Sequence, residues 1–136
     1  MIRPIMQDPF FLNQKSEPAT RADRKIMTDL LDTLRANLDR CVGMAANMIG
    51  ERKRIIAFCN GPVQMVMVNP QITAKSDPYD TEEGCLSLAG VRKTRRYRKI
   101  TVNYQDQAFQ RHSGTFEGFT AQIIQHEIDH CNGILI

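Results

Sequence analysis

His126-Glu127-Ile128-Asp129-His130 sets two histidines four residues apart with an acid between them. On a helix, positions i and i+4 face the same way, so both imidazoles can reach one metal ion with the Glu127 carboxylate beside it. That is the arrangement of a zinc hydrolase. The neighbours Ala121, Gln122, Ile123, Ile124 and Ile128 favour a helix, and Asn132-Gly133 marks its end. The isoleucines spread around enough of its circumference to predict burial. Two core histidines bonded to backbone carbonyls are the plainer reading of the same residues. A metal site also needs a third protein ligand.

The chain has 136 residues, of which 42% are hydrophobic and 24% charged, the balance of an ordinary globular protein with a core of its own. One domain over residues 1–136 is expected. No stretch approaches the length of a membrane span and Met1 to Phe11 contain no secretory h-region, so the expected location is cytoplasmic. In that setting Cys41, Cys59, Cys85 and Cys131 read as thiols or ligands, not as a disulfide framework. Arg92, Lys93, Arg95, Arg96, Arg98 and Lys99 gather six of the 18 basic residues into one strip. It reads as the solvated face of a strand, and no stable nucleic-acid binding is expected from a single basic run.

Residues 1–19, punctuated by Pro4, Pro9 and Pro18, read as an irregular arm. Thr20 and Asp23 resemble a capping box, and Ile26, Met27, Leu30, Leu31, Leu34 and Leu38 follow at helical spacing, which predicts an amphipathic helix over 21–39. The small residues of 41–50 fit either a substrate-lining loop or a tight packing corner. Arg54 to Cys59 and Gln64 to Asn69 form a predicted hairpin about Asn60-Gly61-Pro62. Gln71 to Ser76 is a further candidate strand, Asp77 to Asp80 a polar loop, Lys99 to Tyr104 a strand, and Phe109 to Phe116 its return. Glu83-Gly84-Cys85-Leu86-Ser87 holds the cysteine best placed to be a ligand, since Gly84 permits close backbone approach and Glu83 adds charge.

Together these segments resemble peptide deformylase. A form of Gly-x-Gly-x-Ala-Ala-x-Gln stands at Cys41 to Met48, Glu-Gly-Cys-Leu-Ser at Glu83 to Ser87, and Gln-His-Glu-x-Asp-His at Gln125 to His130, in the family's order. The second and third match in full. Asn69-Pro70 and Gly90-Val91-Arg92 extend the likeness to essentially the whole chain. The resemblance implies an α+β fold: antiparallel β-sheets packed around a central helix carrying His-Glu-x-x-His, plus the N-terminal amphipathic helix. It implies Cys85, His126 and His130 as metal ligands, Fe(II) as the metal in the cell with Zn or Ni on isolation, and Glu127 as general acid and base. It also implies N-formylmethionyl peptides as substrates, lying along Val42, Gly43, Gly84, Leu86 and Arg92, with the Leu86 N–H as one donor to the oxyanion.

Met48 is the main departure. It stands where the family has a glutamine that also donates to the oxyanion, and a thioether has no proton to donate. Reduced deformylation is therefore expected. The alternative is a catalytically quiet binder of formyl peptides or of the ribosome surface, with Arg92 to Lys99 as a transient ribosome contact. A related amidase with another acyl preference is a third reading. Cys41 replaces a motif glycine, Gln122 and Ile123 fall where relatives line the side-chain pocket, and Cys131, beside a ligand, is read as open to oxidation.

Overall fold

The computed structural model describes residues 1–136. Its strands are β1 (Gly43–Ala45), β2 (Ile55–Asn60), β3 (Val63–Cys85), β4 (Leu88–Gln105) and β5 (Arg111–Glu117). The helices are α1 (Pro9–Leu12), α2 (Arg24–Ala36) and α3 (Gly118–Cys131). All five strands form one antiparallel sheet in the order β1-β2-β3-β4-β5. The plural sheets of the sequence reading reduce to one because β3 runs unbroken from its pairing with β2 into its pairing with β4. Register shifts between Val68 and Gln71 and between Ile72 and Ala74 let it bend on the way.

Asp77 to Asp80, read as a loop, belongs to that strand. A proline lacks the N–H that a strand flanked on both sides requires. Beyond Val68, however, β3 is paired only with β4, so Pro70 and Pro78 lie on an open edge where no second ladder needs their donor.

Period-two alternation in β2 explains the layering. Ile55 and Ala57 turn to one face, where they pack with Met27, Leu30 and Leu34 of α2 and with Met44, Ala46, Met48 and Val68. Ile56 and Phe58 turn to the other, against Met67, Ile100, Val102 and the Ala121, Ile123, Ile124 and Ile128 of α3. This part of the sheet thus lies between the two helices. Both faces are covered, hence the nearly continuous apolar run of Ile55 to Phe58.

The predicted 21–39 helix is divided. Arg21–Asp23 is a 3₁₀ turn, in which the Thr20 N–H donates to Asp23 Oδ2 at 2.8 Å, and α2 then ends at Ala36. Asn37 stops it by bonding backwards twice: its N–H to Leu34 O at 2.9 Å and its Nδ2 to Thr33 O at 2.7 Å. Leu38 consequently leaves the stripe and is 43% exposed. The 1–19 arm is also more ordered than expected. Asp8 caps α1 by accepting from the Phe10 N–H, and the arm is tied down by Met6 N to Met48 O and Ser16 N to Cys131 O.

Gly133 closes the end of α3. It has φ of +73°, and a Cβ there would stand 2.6 Å from Asn13 O. Only glycine meets both conditions.

Candidate metal centre

Cys85 is the last residue of β3, at the two-residue turn into β4, and His126 and His130 are a turn apart on α3. One donor atom from each lies within 4.8 Å of the others. Gln125 fixes the helix to the ribbon that presents the cysteine. Its Oε1 accepts from Tyr97 N at 2.9 Å and its Nε2 donates to Tyr97 O at 2.8 Å, joining α3 to the β4 backbone.

Each histidine has one ring nitrogen committed and one left for a metal. His126 Nδ1 bonds Glu83 Oε1 at 2.8 Å, and His130 Nε2 bonds Ile136 O at 3.2 Å. Such partners fix ring orientation and tautomer before a metal arrives. Burial alone would lower the His126 pKa, but hydrogen bonds with Cys85 and Glu83 carry it up to about 10. Burial, reinforced by the His126 charge, pushes His130 down to about 4.

Glu83 is the hub of the surrounding charge network. Arg96 reaches it with Nη2 at 2.7 Å and with Nε at 3.0 Å, and spans to Asp129 Oδ2 at 2.7 Å with Nη1. Gln122 Nε2 adds a bond to Glu83 Oε2 at 2.9 Å. Burial would raise the Glu83 carboxyl, yet bonds from His126, Arg96 and Gln122 hold it at about 2.

Glu127 is its opposite. It is 4% exposed, its Oε1 has no hydrogen-bond partner, and burial pushes its carboxyl up to about 7 against the pull of His126. An unpartnered buried carboxylate oxygen is costly unless something polar is meant to occupy the space before it. One thiolate and two imidazoles suit a borderline or soft divalent ion such as Zn or Fe(II), and three protein donors leave a coordination position open. The residues fit a catalytic metal.

Before this group lies a cavity of about 610 Å³. Of the residues singled out from sequence, Val42, Gly43, Met48, Gly84, Cys85, Leu86, His126 and Glu127 line it. Arg92 does not: its Nη1 turns to Ala89 O at 3.3 Å. Cys41, Phe119, Gln122 and Ile123 are also part of the wall. Burial raises the Cys41 thiol to about 11, so it remains protonated. Met48 turns its sulfur back to the Ala45 N–H at 3.5 Å.

Two sequence readings change here. Cys131 is fully buried and burial pushes its thiol up to about 12, so it is shielded from oxidation. The basic strip is the solvated face of a strand as read except at Arg96, which is buried; on the exposed part Arg95 pairs with Asp80 at 3.3 Å and Lys99 with Glu117 at 3.7 Å. Arg96 is also the residue of this network that sequence reasoning did not single out. Its signal was the buried acid it neutralises, since a buried Glu83 needs a cation.

The family model of polypeptide deformylase matches residues 2–136. A peptide deformylase of Clostridium beijerinckii is 57% identical over 136 residues, the whole of both chains. Peptide deformylase 2 of Clostridium acetobutylicum is 37% identical, covering 91% of this chain and 85% of its own. Among solved structures, the Met-Ala-Ser-bound class I type b peptide deformylase of Acinetobacter baumannii superposes with a TM-score of 0.87 at 31% identity, over 99% of this chain and 97% of that one. The Legionella pneumophila enzyme gives 0.89 at 34% identity, over 99% and 83%. With sequence, fold and relatives in agreement over nearly every residue, this chain belongs to the polypeptide deformylase family, metal-dependent hydrolases that remove the N-formyl group from nascent peptides.

Proposed function

We propose that this chain, as one cytoplasmic domain over residues 1–136 with α3 as its central helix, deformylates N-formylmethionyl peptides at reduced turnover. Cys85, His126 and His130 hold the metal, Fe(II) in the cell and Zn or Ni after isolation. The observation that carries this reading is the unpartnered, buried Glu127 Oε1 beside three converging donors. A bound divalent ion supplies Lewis acidity, polarising the formyl oxygen and acidifying water.

Glu127 takes the proton from the attacking water as its oxygen bonds the formyl carbon, then delivers it to the amine nitrogen as the C–N bond breaks, releasing formate. The Leu86 N–H enters none of the turn and loop hydrogen bonds, so it is free to donate to the oxyanion. β1 has a neighbour on one side only, which lets a peptide add beside Val42 and Gly43, with Gly84 bare of side chain across the cavity. Arg92 meets only chain that extends past the cavity. For a transient ribosome contact Arg92, Lys93 and Arg98 are the cations of the strip without a carboxylate partner, Arg98 lying over the Tyr79 ring. Pairing takes the other three of the six cations from the binder reading, which rests on Met48 and on this strip.

Protein reconstituted anaerobically with Fe(II) is expected to release formate from formyl-Met-Ala-Ser, to lose this with a strong chelator and to regain it when Fe(II) is restored. Metal-loaded protein releasing no formate would sink the proposal.

Gly43 carries a second expectation. A Cβ there would lie 2.7 Å from Ile123 Cγ2 and 2.8 Å from Glu127 Oε2. Misplacing a reacting group by about 1 Å can cost up to about 10²-fold, and part of the clash falls on the movable end of a side chain. Gly43→Ala is thus expected to lower kcat/KM about tenfold. Steady-state formate assays check it.

A further inference from the structure

Gln122 joins the cavity wall to the metal donors. It stands in the second turn of α3 and lines the cavity, where an apolar side chain would serve as a wall. Instead it is held at both ends. Its Nε2 donates to Glu83 Oε2 at 2.9 Å, and its Oε1 accepts from the Tyr79 hydroxyl at 3.2 Å. The Glu83 carboxylate settles which way the amide faces, because it only accepts and a reversed amide would point an oxygen at it. Tyr79 is itself covered by the Arg98 guanidinium, 4.5 Å from its ring centre.

Glu83 Oε1 serves His126 Nδ1 and Arg96, while Oε2 has only Arg96 Nε besides Gln122. Without Gln122, Oε2 keeps only its bond from Arg96 Nε, and nothing on the α3 side opposes the pull of the guanidinium on that oxygen. We propose that Gln122 is a positioning residue: held by Tyr79, it locks the Glu83 carboxylate, and through it the His126 ring, in the attitude that receives the metal. This rests on the metal-centre reading above.

The test measures Co(II) binding by competition with a chromophoric chelator, together with the visible absorption of the bound ion, and needs no turnover. Gln122→Leu is expected to weaken Co(II) binding about tenfold and to alter the absorption, as loss of an outer hydrogen-bond partner does at other metal sites. Tyr79→Phe leaves the cavity wall untouched and is expected to shift both in the same direction, by about threefold in affinity. It decides alone if the leucine variant does not fold. Wild-type uptake with unchanged affinity and spectrum in the folded variants would overturn this inference only. Wild-type protein that takes up no Co(II) would overturn the metal-centre reading and this inference with it.

Discussion

Replacing Glu127 by Gln lowers formate release by about 10³-fold while the protein keeps its metal. The substitution preserves shape and removes only the ability to take a proton. Positioned acid–base groups contribute about 10²- to 10⁴-fold, and Glu127 has no second role to share that effect, since its Oε1 bonds nothing else in the protein. The fold should survive. A neutral amide at a position 4% exposed escapes the desolvation penalty of a buried carboxylate, so the melting temperature is expected to hold or rise. Formate release and metal content are measured on the same sample. Wild-type turnover in a metal-loaded Glu127→Gln protein would remove this residue from the mechanism.

Met48→Gln is expected to act in the other direction, raising kcat by about 10²-fold, the size of one oxyanion donor. The position lines the cavity, so an amide there can face the substrate. The native thioether faces backwards to Ala45 N and offers no proton in any rotamer. Stability should move against activity. Met48 is 1% exposed and packs with Leu30, Leu34 and Ile55, so an amide inserted among them without a partner costs about 1–3 kcal/mol. Met48→Leu separates the two effects, keeping the packing without adding a donor, and should leave kcat near wild type. A glutamine variant that is less stable and no faster would mean that another donor already fills the role.

Much of this could be read along the chain because the governing interactions are short in sequence. The i, i+4 spacing of His126 and His130, the 3.6-residue stripe of α2 and the Asn60-Gly61-Pro62 turn, where Gly61 has φ of +61°, each depend on residues within one turn of one another. The end of α2 was misread for a local reason as well: Asn37 closes the helix with its own side chain, and the apolar stripe continues past it. The strand through Asp77 to Asp80 was hidden because its partners, Tyr97 to Arg95, lie on another strand and its prolines occupy an edge.

The motifs at Glu83 to Ser87 and at Gln125 to His130 carried the resemblance to the family, and with it the expectation of three donors and an acid beside them, which the fold brings within reach of one another. What surrounds those donors was decided only by tertiary structure. Arg96 reads as one more cation of a solvated strip until folding sets it between Glu83 and Asp129, 13 and 33 residues away. Gln122 reads as an odd polar residue on an apolar helix until Glu83 and Tyr79 arrive at either end of its amide. A hydrogen bond between distant segments leaves no period in the sequence, and a buried charge shows its partner only when the elements that carry the two have packed.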